Sequence, residues 1–307
     1  MSHVPEKSRE PLLLWQLTNR GFGSEINVLL LAILYGWQNR LRFALSSRHS
    51  SLACERGWTD YFLPFCEEIE SPFLRWSMLF RRDCLSTRFQ KFVQRAALQP
   101  VVRRPFFLTH DVWDRIWCSE FVRKRFDLPD HGINGDCYTA CRVILNSIWR
   151  FNERTRQGVL EVSSRLPMAG QPYFAIHIRR GDKLPEVKPL DARSYVDKVV
   201  ESGTDLKRCF VMADDYGAVE DLRRLRPDWE FFSLCDRSKG GYSQSSFKRL
   251  PPGAKRREME VLLAELTIAQ ASAFFVGTYS SNIGRLMALL KGRENILPVD
   301  MPYRMIY

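Results

Sequence analysis

The sequence predicts an α/β protein of two Rossmann-like halves, two domains facing a cleft, and three observations predict it. From about residue 170 to residue 291, short apolar runs alternate with stretches of helical period. Residues 12–45 repeat the strand, turn, helix, strand order on their own. At 307 residues the chain is long enough for two such domains.

In the first half, the apolar run 12–17 is a strand, and the turn Gly21-Phe22-Gly23 leads out of it. Helical spacing follows through Ile26, Leu30 and Ile33, and Leu41 to Leu45 is a second strand. The stretch "INVLLLAILYGW" (26–37) is the most apolar in the chain, but it is too short to span a bilayer and reads as a buried helix. Residues 50–165, rich in aromatics and arginine, read as mostly helical.

The second half is more regular. "YFAIHI" (173–178), "CFVMA" (209–213), "WEFFSL" (229–234) and "AFFVG" (273–277) read as strands. Helices are expected over 191–202, 216–226, 256–272 and 281–291. The polar loop 236–258, with Gly240, Gly241, Pro251 and Pro252, reads either as a closing lid or as a passive surface loop. The expected division is 1–168, 169–292 and a tail 293–307.

Composition excludes some classes. With 45% hydrophobic and 26% charged residues the chain is an ordinary globular protein. Its net charge of +11 favours an anionic partner. The basic clusters, such as Arg81-Arg82, Arg103-Arg104 and Arg223-Arg224, fall in different elements, however, and read as solvated helix faces. No nucleic-acid partner is therefore expected. The opening "MSHVPEKSRE" has no leader character, so the expectation is a chain with no membrane span whose location is cytoplasmic or unknown. The eight cysteines form no CxxC pair; Cys137 and Cys141 share a helix face without a histidine pair, and the thiols read as mainly buried and reduced, with a number that still allows disulfides.

Ligands of parallel sheets bind outside the carboxyl ends of the strands. The first strand of the second half ends in "HIRRGDK" (177–183). Alternation puts His177 and Arg179 on one face, and a guanidinium at a strand end suits bidentate binding of phosphate. Arg-Gly-Asp is also an adhesion tag when it protrudes in a flexible loop, but here it directly follows a buried strand. The second strand ends in Asp214-Asp215, a pair that either binds a metal or hydroxyls or caps the next helix. The third ends in "GTYSSNIGRL" (277–286), where Tyr279, Ser280 and Ser281 lead into a helix N-terminus that either takes phosphate or is only capped. Glu265, set among Met259, Leu262, Leu263 and Leu266, is a carboxylate in an apolar setting that needs partners; the paired donors of a guanine, or a nearby arginine, would supply them.

Together these stretches resemble the GT-B fucosyltransferases: the α-1,6, nodulation and protein O-fucosyltransferase families. "HIRRGDK" is similar to the H-x-R-R-x-D-K motif of the α-1,6 family, "FVMADD" to its strand ending in aspartates, and "GTYSSNIGRL" to its T-F-S-S helix start. Glu265 stands where that family has an aspartate, and "GFGSEIN" resembles its first glycine loop. The likeness covers roughly 12–45 and 170–290. It implies a GT-B-like fold and an inverting, metal-independent transferase that needs no cofactor beyond the donor substrate, GDP-fucose, and acts on a glycan or other hydroxyl acceptor. Residues 169–292 would bind the nucleotide sugar and residues 1–168 the acceptor.

By position, the resemblance implies that Arg179 holds the β-phosphate, His177 lines the nucleotide pocket, and Ser280 and Ser281 bind the diphosphate through hydroxyl and N–H. Asp215, Tyr279 and the loop Gly21-Phe22-Gly23 complete the donor set. Lys183 and a following glutamate belong to the acceptor and base apparatus. That glutamate lies four residues after the lysine in the family, whereas Glu186 lies three after Lys183. Asp182 is the alternative base, although its place in the motif suits a structural role. The rival readings are a GT-B enzyme using another nucleotide sugar, or a catalytically silent relative that binds glycan or nucleic acid.

Overall fold

The computed structural model describes residues 10–77, 85–168, 170–181, 190–238 and 240–306. The chain forms two compact units that meet in sequence at Asn152 and Glu153.

The first unit opens with β1 (Leu12–Gln16), α1 (Phe22–Gln38) and β2 (Arg42–Ser46), the strand–helix–strand order expected. Then come β3 (Glu67–Glu68), α2 (Pro72–Ser77), α3 (Leu85–Val102), β4 (Phe106–Leu108), α4 (Thr109–Ile116) and α5 (Ser119–Val122). A hairpin of β5 (Arg125–Leu128) and β6 (Ile133–Asp136) and the helix α6 (Cys137–Ile148) complete it. The main sheet is parallel, in the order β3-β2-β1-β4. Strand alternation sorts its side chains. Leu12 and Leu14 face Leu74 of α2 and Leu98 and Val102 of α3, whereas Leu13 approaches α1 at Gly36. α1 is apolar nearly all round, so it is buried nearly all round, packed on β1, β2, α4 and α6. The stretch expected to be mostly helical thus also holds β3 to β6, strands of two to four residues.

The second unit runs α7 (Glu153–Ser163), β7 (Phe174–Ile178), α8 (Ala192–Glu201), β8 (Arg208–Ala213), α9 (Tyr216–Leu225) and β9 (Glu230–Phe232). It continues with α10 (Gln244–Arg249), α11 (Pro252–Ala271), β10 (Phe275–Gly277), α12 (Asn282–Lys291) and β11 (Ile296–Pro298). Its sheet is parallel in the order β11-β10-β7-β8-β9, the winding of a Rossmann half, with the switch between β7 and β10. Phe174, Ile176 and Ile178 pack under α8 and α9 with Tyr195, Val199, Val219 and Leu222; α11 packs on β7 and β8. Two features differ from the expected division. α7 packs on α11 and so belongs with the second unit, and residues 296–298 are not a tail but the fifth strand of its sheet. Among the described residues, no helix is long and apolar enough to cross a membrane.

Candidate functional site

The carboxyl edge of the second sheet gathers polar groups from four strands. β7 delivers Arg179, Arg180 and Gly181, and the turn they make is held by Asp214 at the end of β8. The Asp214 carboxylate accepts the Arg180 N–H at 2.8 Å and the Gly181 N–H at 3.0 Å, while its backbone carbonyl accepts the Gly241 N–H at 2.9 Å. Arg179 Nε lies 3.9 Å from Asp214 Oδ2, a charge contact rather than a bidentate pair. The Arg179 guanidinium carbon also stands 5.5 Å from the ring centre of Tyr242. Arg180 turns elsewhere and donates to Asp221 of α9 at 2.6 Å.

Asp215 does something different from its neighbour. It caps α9, accepting the Gly217 N–H at 2.9 Å, and bridges in extended conformation to Gly240. The polar loop is therefore not loose at this end. Gly240 and Gly241 are tied to the aspartate pair, and α10 forms within the loop.

His177, one residue inside the strand, is 8% exposed and lies near Phe275 of β10, ring centres 6.4 Å apart. Its Nδ1 has no hydrogen-bond partner among the described residues. Burial, with the Arg179 charge adding to it, pushes the imidazole down from 6.5 to about 3, so the ring is neutral near pH 7.

Across the switch point, Ser281 caps α12, its hydroxyl accepting the Ile283 N–H at 3.3 Å. The Tyr279 and Ser280 N–H groups each donate at 2.8 Å to the carboxylate of Asp300, just beyond β11. The Ser280 N–H, expected to donate to a diphosphate, donates to the Asp300 carboxylate here. Gly284 permits the tight strand-to-helix turn, since a Cβ there would lie 2.0 Å from the Thr278 carbonyl oxygen. Sequence reasoning missed Asp300, Tyr242 and Asp221. Only Asp300 left a signal, as an acid directly after a short apolar run.

Glu265 is half-buried on α11, the helix packed on the strands that carry His177 and lead to Asp214. Gly21, Phe22 and Gly23 belong to the first unit and open α1, with the Gly21 carbonyl accepting the Ser24 and Glu25 N–H groups. Buried Glu25 braces the loop before it, accepting from the Thr18 N–H at 3.0 Å, the Thr18 hydroxyl at 2.5 Å and the Arg20 N–H at 3.1 Å. Lys183, Glu186 and Asp182 lie outside the described residues.

Solved structures share this architecture. The fucosyltransferase NodZ from Bradyrhizobium aligns over 94% of this chain and 94% of its own, at 14% identity and a TM-score of 0.54. NodZ α-1,6-fucosyltransferase soaked with GDP-fucose aligns over 92% and 93%, at 15% identity and a TM-score of 0.52. An arginine-to-lysine mutant of Arabidopsis thaliana FUT1 in complex with GDP aligns over 92% of this chain and 69% of its own, at 11% identity and a TM-score of 0.54. This chain has the GT-B fold of those fucosyltransferases. No family model matches the sequence, and no curated protein matches it.

Proposed function

We propose that the chain is an inverting, metal-independent glycosyltransferase that moves fucose from GDP-fucose to a hydroxyl of a glycan or another acceptor. The observation that carries this reading is the pairing of a cation, Arg179, with a neutral buried imidazole, His177, at the carboxyl end of the strand beside the topological switch. Positive charge at a strand end suits the phosphates of a nucleoside diphosphate, and the imidazole adds a polar group that brings no charge. NodZ α-1,6-fucosyltransferase, which has the same fold, was soaked with GDP-fucose, and this supports the choice of donor.

In the proposed reaction, the acceptor oxygen attacks the fucose C1 on the face opposite the nucleotide. The C1–O bond to the β-phosphate breaks and GDP leaves with the bonding pair. Arg179 neutralises the charge that develops on the leaving diphosphate, the role a metal ion plays in other transferases. The hydroxyl of Ser280 and the capped N-terminus at Ser281 hold the phosphates, Tyr279 lines the turn, and Asp215 fixes the edge of the pocket. Glu265 accepts from the two adjacent donors of guanine. Glu186 takes the acceptor proton, and Lys183 belongs to the same acceptor and base apparatus. The first unit receives the acceptor.

Thermal unfolding against a panel of nucleoside diphosphates and their sugars tests the donor, because a ligand of the native state raises the midpoint. GDP and GDP-fucose are expected to stabilise more than UDP or ADP, and GDP-fucose with acceptor is expected to release GDP in excess EDTA. Equal stabilisation by UDP, or release only after manganese is added, would overturn the guanine or the metal-free part respectively.

A further inference from the structure

Helix α3 is apolar on two opposite faces. Its inner face is Gln94, Leu98 and Val102, all buried, with the two apolar side chains packed against β1 and β4. At about 100° per residue, Phe89, Phe92 and Ala96 point the other way. Nothing among the described residues covers the two rings. Each is 68% exposed, the most of any large hydrophobic side chain described. α2, packed alongside α3, adds the exposed Phe73. The same stretch is purely cationic: residues 85–104 contain Arg88, Lys91, Arg95, Arg103 and Arg104 and no aspartate or glutamate. Three of these also have contacts within the protein: Arg95 donates to Asp111 of α4 at 2.6 Å and to the Phe106 carbonyl at 3.1 Å, Arg103 donates to the Pro100 carbonyl at 3.1 Å, and one guanidinium nitrogen of Arg104 is buried.

We propose that α3 docks on an anionic lipid bilayer, lying in the plane of the surface with Phe89 and Phe92 inserted at the headgroup level. Clustered exposed aromatics on a helix mark an interaction face rather than scattered surface apolarity. Charge selects the occupant. A second copy of the chain meeting this face about a twofold axis would set one all-cationic helix against another. An anionic surface takes up both features at once, with rings in the interface and cations against phosphate and carboxylate headgroups. The chain's net charge of +11 draws the whole molecule the same way.

The test is co-sedimentation of the full chain with vesicles of phosphatidylcholine alone and of phosphatidylcholine with phosphatidylserine. Retention on the anionic vesicles is expected to exceed that on neutral ones by about tenfold or more, and to fall in high salt. The double variant Phe89→Ser and Phe92→Ser, with a native melting temperature because neither ring is buried, is expected to lose about tenfold or more of that binding. Failure of the wild type to bind, or equal binding by the double variant, overturns the proposal. A dimer in light scattering that the double variant splits overturns it too, in favour of a protein interface.

Discussion

Gly181 lies against the backbone of Tyr242 so closely that a Cβ at residue 181 would stand 2.4 Å from the Tyr242 carbonyl oxygen and 2.6 Å from its nitrogen. The Asp214 carboxylate closes the third side, 2.7 Å from the same point. This contact accounts for the glycine in "HIRRGDK" without an adhesion role, since the residue is packed between a strand end and a loop.

Gly181→Ala must therefore push the turn off Asp214 or the loop off the turn. The expected cost is about 1–3 kcal/mol, the range for overpacking a filled site. It is expected as a lower melting temperature together with weaker GDP binding by calorimetry. An alanine variant with native values in both would show that the loop yields freely and does not fix the turn.

His177 makes stability depend on pH with a definite sign. In the unfolded chain the imidazole takes a proton as pH falls through 6.5, whereas in the folded chain burial and Arg179 delay this to about 3. Between those values the unfolded state binds the extra proton, so stability falls as pH falls, by about 1.4 kcal/mol per pH unit from this group at most. Above 6.5 the contribution is fully present. His177→Gln, followed by denaturant unfolding at a series of pH values, is expected to remove that part of the slope. Equal slopes in the two proteins would mean that the imidazole is protonated or hydrated in the native state.

Residues whose side chains obey a long local period were legible in the sequence. The strand that delivers His177 and Arg179, the buried α1 and the strand-to-helix turn at Tyr279 to Ser281 all announce themselves within about ten residues. Capping of the next helix was among the readings of the Asp214-Asp215 pair, and Asp215 caps α9; which aspartate caps, and that the other holds the β7 turn, was not legible, because that depends on the pleat. Adjacent residues leave a strand end in opposite directions, so one carboxylate reaches the β7 turn while the other caps its own helix. β3, β4 and β11 are two or three residues long, too short to show alternation, and are made strands by partners distant in the chain. Asp300 showed only as an acid directly after a short apolar run, without the strand that places it. α7 has no compositional mark of its unit; its packing on α11 assigns it.

Asp300 gives a test of the turn itself. Its carboxylate takes the Tyr279 and Ser280 N–H groups and also the Met301 N–H, all at 2.8 Å. Asp300→Ala leaves the turn without these acceptors, which is expected to cost about 1–3 kcal/mol and to weaken GDP binding. Asp300→Asn, which keeps one acceptor oxygen, is expected to fall between the two in both measurements. Tighter GDP binding by the alanine variant would point the other way, to a carboxylate that competes with the phosphates for the same N–H groups.

Arg179 carries the largest expected effect. Asp214 lies 3.9 Å from its Nε while accepting two backbone N–H groups at shorter range, so this carboxylate orients the guanidinium without taking it in a bidentate pair. On the proposed reaction the guanidinium meets charge that grows as GDP leaves, so its loss is expected to lower kcat more than donor affinity. Arg179→Ala is expected to reduce turnover by about a hundredfold or more, the scale for removal of a charge-stabilising donor. Arg179→Lys keeps the charge but not the planar two-pronged donor, and is expected to restore little. Tyr242→Leu removes the ring beside the guanidinium while leaving the charge, and a loss of only a few-fold is expected from a partly exposed cation–π contact. Steady-state kinetics with GDP-fucose on these three variants, each checked for native melting, separates the roles. Near-native turnover in a folded Arg179→Ala chain would remove this residue from the chemistry and leave it as a support for the Asp214 turn.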